Sequence, residues 1–322
     1  MKAVWRDRYG PPEVLDVVEI PTPQPRHDEV LVRVEATSIN TADLDHLLGR
    51  PRVARIGTGW RRPRWRIPGL DVAGRVAAVG SAVTRYRPGD EVWADLFSSG
   101  HGAFAEYVCA SQEVFSPRPP QLQPTTVATV PHSGLLALQA LQSGGGIESG
   151  HRVLINGGGG CVGPFAIQIA RASGAEVTAV DTGGRLGVMR EAGADHVVDF
   201  TVEDIIRSGT RFDVVLDIAA YRSPLAFKRV LTRRGRYVQI SRTLGGFVAA
   251  ALKGVVLGGS RKMGVFAWKP NSAPDLFRMA ALLEEGRVVP VVDSVIGLAG
   301  VPAALHRLSE GNTRGKVIVK PG

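Results

Sequence analysis

The stretch EVLVRVEA, residues 29 to 36, places Val30, Val32 and Val34 on one side and Leu31, Arg33 and Glu35 on the other. That period of two marks a strand with one face in a core. DVAGRVAAVGSAV (71–83) and GDEVWADL (89–96) continue in the same manner, separated by Gly and Pro punctuation. Residues 1 to about 120 thus predict a compact domain of barrel-like β structure. A Pro-rich passage, SPRPPQLQPTT (116–126), follows, and TVATVPHSGLLALQALQ (126–142) takes on helical spacing, which places a domain boundary there.

From residue 151 the rhythm changes to strand, turn and helix. HRVLIN leads through a glycine run to a helix ending at Ala172, and AEVTAV to a helix ending at Glu191. HVVDF leads to a short helical piece, FDVVLDI to a helix, and RYVQIS closes the series. Strands alternating with helices predict a parallel, doubly wound α/β sheet. APDLFRMAALLEEGRVVPVVD (273–293) reads as a helix ending at Gly286 and then a strand, and GKVIVKPG as a last strand rejoining the first domain's sheet. The α/β domain is then an insertion in the β domain.

Composition narrows the function classes. The chain has 322 residues, 44% of them hydrophobic, enough to bury a substantial core in two domains. Its two cysteines, Cys109 and Cys161, exclude a disulfide framework and a multi-cysteine zinc module, and they fit a reducing cytoplasm. The first twenty residues lack an apolar signal core and carry Glu and Asp, which transit peptides avoid, so a cytoplasmic protein is expected. GGFVAAALKGVVLGG (245–259) is broken by Lys253 and is too short to span a bilayer, so no membrane span is expected.

The net charge is +9, and its densest run is GRPRVARIGTGWRRPRWR, 49–66. Such a patch, with Trp60 and Trp65, suits nucleic acid or an anionic ligand, against the plainer reading of a solvated Arg-rich loop. No helix-turn-helix, zinc-finger, RRM or KH signature accompanies it, so nucleic acid is not the expected partner.

INGGGGCVGPFAIQIARASG (155–174) contains G-x-G-x-x-G at Gly158, Gly160 and Gly163, and an overlapping spacing at Gly157, Gly160 and Gly163. The motif alone is weak, but a strand precedes it, and the helix after it puts Val162, Ala166, Ile169 and Ala170 on one face. Glycines permit a tight turn and let backbone amides approach a pyrophosphate at the helix N-terminus. Gly157, Gly158, Gly160, Cys161, Val162 and Gly163 are therefore the candidate diphosphate turn. The next strand ends in Asp181, eighteen positions after Gly163, close to the ~20-residue offset of an acid that meets the adenosine ribose. Asp181 favours the free hydroxyls of NAD, whereas Arg185 could meet the 2′-phosphate of NADP.

With ATSINTAD (36–43), IPGLDVAGRVAAVG (67–80), RYRPGDEVWAD (85–95), GAFAEYV (102–108), INGGGGCVGPFAIQIAR, AGADHVVDF (192–200) and RGKVIV (314–319) in order, the chain resembles the medium-chain dehydrogenase/reductase superfamily. Within it, the likeness is to the zinc-independent quinone-oxidoreductase-like branch, often labelled NAD(P)-dependent alcohol dehydrogenase. The resemblance implies a GroES-like β-barrel substrate domain over 1–122 and 268–322, a Rossmann NAD(P)-binding domain over 123–267, and an active site in the cleft between them. It also implies NADP as cofactor, with NAD open, and it allows a homodimer.

Zinc-dependent relatives carry Cys in the stretch matching TSINTAD and Gly-His-Glu where this chain has Gly69, Leu70 and Asp71. A catalytic zinc needs about three N or S ligands, so no metal site is expected. Hydride transfer without a Lewis acid selects an electron-poor acceptor such as a quinone or an α,β-unsaturated carbonyl.

The family's pattern places Asn40 beside the nicotinamide as an amide donor, although Asn40 ahead of Asp43 also reads as a helix cap. Where many relatives have a Tyr five positions on, this chain has Asp45, beside His46, a candidate proton source. His132 falls where the family's helix approaches the cofactor. Ser133, the strand ends with Ala219, Ala220, Gln239 and Ser241, and Lys316 complete the expected cofactor contacts. Segments 49–66 and 242–266 are expected to flank the cleft as a wall or lid.

The leading function is thus an NAD(P)H-dependent oxidoreductase acting on a small quinone or enone. An alcohol or aldehyde oxidoreductase is the second enzyme reading, and a nucleotide-binding sensor or RNA-binding protein with little turnover the rival from another class. No G-x-S-x-G or HExxH occurs, which removes the hydrolase reading.

Overall fold

The computed structural model describes residues 1–143, 145–240, 262–265 and 268–322, with the backbone alone at 54 and 262–265. The chain divides into two compact units: Met1–Leu135 with Lys269–Glu284 and Val292–Gly322, and Leu136–Trp268 with Glu285–Val291. The sequence had placed the borders at 122/123 and 267/268.

The first unit opens with β1 (Lys2–Trp5), β2 (Asp16–Glu19) and β3 (Glu29–Ile39), continues through α1 (Thr41–Leu48) and α2 (Arg55–Thr58), and adds β4 (Asp71–Val79), β5 (Glu91–Asp95), β6 (Tyr107–Ser111) and β7 (Ser116–Pro117). Two helices follow, α3 (Pro124–Val127) and α4 (Ser133–Gln142). The single helical run expected over 126–142 is therefore interrupted. Pro131 supplies no N–H and restricts Val130, which ends the first piece and restarts the second at Ser133.

The inserted unit contains β8 (Arg152–Asn156), α5 (Gly163–Ala172), β9 (Glu176–Asp181), α6 (Leu186–Glu191), β10 (His196–Asp199), β11 (Phe212–Asp217), α7 (Pro224–Phe227), β12 (Leu231–Gln239) and β13 (Lys262–Val265). The chain then returns to the first unit with α8 (Ala273–Glu284), β14 (Val292–Ile296), α9 (Val301–Ser309) and β15 (Lys316–Val319). The strand expected directly after the helix begins only at Val292. Pro290 cannot donate to a ladder, and Val289 is held instead by the Gln168 side chain, which donates to its carbonyl at 2.9 Å and accepts from its N–H at 2.7 Å.

In the first unit the main sheet runs β14-β15-β3-β4-β5-β7, with β6 also on β3. Val30, Val32 and Val34 enter a core with Val72, Val76, Val92 and Phe115, as the alternation predicted; Leu31, assigned to the opposite face, is buried too. β3 bends at two register shifts, so its first half pairs with β6 and its last three residues with β15. Register then decides who meets whom. Val317 lies opposite Ile39, Ala73 opposite Ala36, and Asp71 opposite Asp95, which gathers the ends of β3, β4, β5 and β15 at one place.

In the second unit all ladders are parallel and the order is β10-β9-β8-β11-β12-β13. Counted within the unit this is 3-2-1-4-5-6, the doubly wound order whose switch point lies between its first and fourth strands, here β8 and β11. Leu154, Val180, Phe212, Val215, Phe227 and Tyr237 fill its core. No helix among the described residues is long and apolar enough to cross a membrane.

Candidate active site

The glycine turn sits at the switch point. Gly157 has φ +93°, and a Cβ there would lie 3.1 Å from the Ala219 nitrogen, so the turn after β8 crosses closely over the end of β11. A Cβ on Gly163 would strike the Gly158 carbonyl oxygen at 2.3 Å, which is why α5 can begin immediately under the turn. At Gly160 the nearest atom among the described residues would be 3.8 Å away, so none of them covers the backbone there. Cys161 and Val162 are buried below. This cradle at the N-terminus of a ten-residue helix fits a diphosphate.

Asp181 ends β9, as expected, yet it is turned into the protein. Its carboxylate accepts from the N–H of Gly159 at 2.9 Å and of Thr182 at 2.8 Å, and the Arg185 guanidinium lies 3.6 Å away. The structure brings Asp181 and Arg185 together beside the glycine turn.

The strand ends are organised by a pair the sequence reading did not single out. Asn156 and Asp217 are register partners across the switch point, and the Asn156 amide donates to the Asp217 carboxylate at 2.7 Å. The same carboxylate accepts from the Tyr237 hydroxyl at 2.6 Å and the Ala220 N–H at 2.9 Å. Burial raises its pKa, against these three donors. Ala220 is held at φ +51°, a left-handed conformation that a non-glycine residue adopts only when the surroundings demand it. Gln239 ends β12 within reach of the Tyr237 hydroxyl. Ser241 and most of segment 242–266 lie outside the described residues, except the backbone of β13, which pairs with β12.

The first unit holds a second polar centre where its strand ends meet. Asn40, Asp43, Asp71, Ser133 and Lys316 are all at most 1% exposed. Lys316 Nζ lies 2.5 Å from Asn40 Oδ1, 3.3 Å from Asp71 Oδ2 and 3.3 Å from Ser133 Oγ. Ser133 donates to Asn40 Oδ1 at 2.8 Å, and the Asn40 amide donates to Asp71 Oδ2 at 2.8 Å and the Ser38 carbonyl at 3.4 Å. Ser38 Oγ and the His132 N–H complete the shell of Asp71 at 2.6 and 2.7 Å. Lys316, Asp71, Asn40 and Ser133 satisfy one another, which is what makes so dry a cluster tolerable, whereas Asp43 Oδ1 is buried without a hydrogen-bond partner among the described residues.

The structure brings Asn40, Ser133 and Lys316, each expected as a cofactor contact, into contact with one another and gives Asn40 an internal role. Both protons of its amide are committed inside the cluster, so in this arrangement it has none to offer an oxyanion. It also occupies the N-cap position of α1, where the Asp43 carboxylate accepts from its backbone N–H at 2.8 Å. Asp43, rather than the expected Asp45, is the helix acid that joins the centre. Burial pushes its pKa up to about 7. Asp45 is half-buried on α1, and its carbonyl accepts from Gly49 and Arg50.

His46 does not fit the expected proton donor. Its ring stacks on His101 at 4.5 Å and packs 5.1 Å from Phe97, and burial, with Arg6 nearby, lowers its pKa to about 4. At neutral pH it carries no proton to spare. His132 does the opposite: burial opposes its protonation, but the Asp95 carboxylate 2.9 Å from Nδ1 outweighs burial and raises its pKa. The amide and carbonyl of Asn271 clasp the Asp95 backbone at 2.8 and 2.7 Å. Asp95, His132 and Asp71 thus form one chain of contacts, which no linear motif in the sequence announces because three separate segments supply it.

A Rossmann-like parallel sheet with a glycine cradle at its switch point, inserted in a mostly antiparallel GroES-like unit, defines the two-domain nicotinamide oxidoreductases. The comparisons agree. Residues 26–120 match the alcohol dehydrogenase GroES-like domain family, and residues 192–319 match the zinc-binding dehydrogenase family. The chain is 32% identical to the chloroplastic quinone-oxidoreductase QR1 of Triphysaria versicolor, over 100% of this chain and 98% of that protein. It is 30% identical to the mitochondrial NAD(P)H oxidoreductase RTN4IP1 of Danio rerio, over 97% and 89%. The solved quinone oxidoreductase of Coxiella burnetii superposes with a TM-score of 0.88 at 29% identity, covering 100% of this chain and 99% of that one. The chain belongs to the medium-chain dehydrogenase/reductase superfamily, in its quinone-oxidoreductase-like branch, and is an NAD(P)H-dependent oxidoreductase.

Two consequences follow. The expectation of a cytoplasmic protein is overturned by relatives named as chloroplastic and mitochondrial; two free thiols suit any reducing compartment and do not choose among them. And the zinc in the family's description does not fit this centre. Asp71 is fully engaged by Lys316, Asn40, Ser38 and His132, and among the described residues no group of three or more His, Cys, Asp or Glu could hold a metal.

Proposed function

We propose that the chain transfers a hydride from NADPH to a quinone or an α,β-unsaturated carbonyl without a metal Lewis acid. The observation that carries this reading is the Lys316–Asp71 pair, with Asn40 and Ser133 around it, standing where zinc-dependent relatives keep ligands. Oxidising an unactivated alcohol requires stabilising an alkoxide, which a zinc ion does well and the donors of Lys316, Asn40 and Ser133, each engaged inside the cluster, do not. A quinone or enone is already electron-poor and needs mainly a well-placed donor. When bound, the reduced nicotinamide would supply the hydride, leaving NADP+ and an anionic product that takes its proton from solvent.

The chain's own residues divide the remaining tasks. Gly157, Gly158, Gly160 and Gly163 hold the diphosphate, and Cys161 and Val162 support that turn from below. Ala219, Ala220 and Gln239 face the nicotinamide half. Asn40, Ser133 and Lys316 act as positioning residues through their mutual hydrogen bonds. NADPH is favoured over NADH because the Asp181 carboxylate is engaged by two backbone N–H groups and Arg185, which leaves it poorly placed for ribose hydroxyls.

The test is thermal unfolding with NADPH and with NADH, followed by nucleotide oxidation across quinones, enones and simple alcohols or aldehydes. A larger shift with NADPH and turnover with quinones or enones are expected. Turnover of alcohols alone, or nucleotide binding without oxidation by any acceptor, overturns the reading.

A further inference from the structure

We infer that the surface of segment 49–66 docks on an anionic lipid bilayer. The segment carries seven arginines and no acidic residue. It is held in place from beneath. The Tyr9 hydroxyl lies 2.9 and 2.8 Å from the carbonyl oxygens of Thr58 and Gly59, and the Arg55 guanidinium sits 4.4 Å above the Tyr9 ring. Arg55 also donates to the carbonyls of Gly49 at 3.0 Å and Leu48 at 3.1 Å, and the buried Arg6 donates to the carbonyls of Trp65 at 3.3 Å and His46 at 2.6 Å.

Those contacts use the inward cations and leave an apolar and cationic outer face. Ile56 is 75% exposed, Trp60 68% and Val53 44%. Around them Arg50, Arg52, Arg61, Arg62 and Arg64 are exposed, and none pairs with a carboxylate among the described residues. An ordered backbone that holds Ile and Trp in water gains nothing in the free protein, but such side chains gain on entering a headgroup layer. Arginine stems reach around them while the guanidinium groups meet anionic headgroups. A nucleic acid would use the arginines and Trp60 but offers no apolar layer to Val53 and Ile56. The reading is independent of the hydride acceptor and extends the segment's expected place beside a cleft.

The full chain, without cofactor, is sedimented with vesicles of phosphatidylcholine alone and of phosphatidylcholine with phosphatidylglycerol, and is titrated in parallel with a single-stranded RNA oligonucleotide. Binding is expected only to the anionic vesicles, weakening as salt rises, with a blue shift of tryptophan emission that Trp60→Phe abolishes. Arg61→Gln/Arg62→Gln/Arg64→Gln should weaken it roughly a hundredfold, at about 1 kcal/mol per basic residue near the surface. Ile56→Ser should weaken it without changing Tm, and this variant with Trp60→Phe keeps the test open if the triple variant fails to fold. Equal binding to both vesicle types, no binding, an unaltered blue shift in Trp60→Phe, or preference for the RNA overturns the inference.

Discussion

The ammonium of Lys316 lies 3.3 Å from the carboxylate of Asp71, 245 positions away in sequence, and both side chains are almost wholly out of water. Two buried ions are stable together only while each keeps its partners. Lys316→Met should therefore destabilise the fold by about 3–5 kcal/mol, the usual cost of leaving a buried charge unpaired. Adding Asp71→Asn should return a large part of that loss. Urea unfolding of the two variants measures both, and a single-variant cost under about 1 kcal/mol would mean that the pair is hydrated in solution.

Asp43 and His46 should shape the pH dependence with opposite signs. The Asp43 pKa is raised from 3.8 to about 7. Between those values the folded chain keeps a proton that the unfolded chain has released, so this group's contribution to stability falls as pH rises, by about 4 kcal/mol in all. The His46 pKa is lowered from 6.5 to about 4. There the unfolded chain takes up the proton first, and its contribution falls as pH drops, by about 3 kcal/mol. Relative to the parent chain, Asp43→Asn should gain stability from about pH 4 to about pH 7, whereas His46→Phe should gain it in the acid direction. Differences that stay flat across that range would show that neither group is desolvated as the fold implies.

The glycine cradle separates folding from binding. Gly163→Ala drives a Cβ into the backbone carbonyl of Gly158, so it should lower Tm without nucleotide, at about 1–3 kcal/mol for an overpacked position. Gly160→Ala meets nothing closer than 3.8 Å among the described residues and should leave that Tm unchanged while reducing the shift produced by NADPH. An undiminished NADPH shift in Gly160→Ala would place the diphosphate elsewhere.

Arg185 decides the proposed nucleotide preference. If its guanidinium, 3.6 Å from Asp181, turns to the 2′-phosphate, Arg185→Ala should raise KM for NADPH about tenfold or more, as loss of a charge-assisted contact does, and leave KM for NADH nearly unchanged. Equal effects on the two nucleotides would assign Arg185 to the turn itself, where its side chain packs on Gly159.

Much of the architecture was legible because it is written in short-range periods. The alternation at Val30, Val32 and Val34, the strand before Gly157 and the apolar face of α5 are local patterns, and they were enough for a β unit, an inserted doubly wound unit and a tight glycine turn between strand and helix. Pro131 and Pro290 were legible as breakers too, although the helix and strand around them were read as continuous.

What the sequence by itself determined is the glycine turn proposed to hold the cofactor, since strand, glycines, helix and terminal acid are neighbours along the chain. Only the tertiary structure decided the chemistry around Asn40. Ladder register brings together Ser38, Asp71, Asp95 and Lys316 from four strands, and there the Asn40 amide is spent on internal partners, Asp43 gains a proton and His46 loses one. Dehydration and pairing set those properties, and both depend on neighbours that lie tens to hundreds of residues away in the chain.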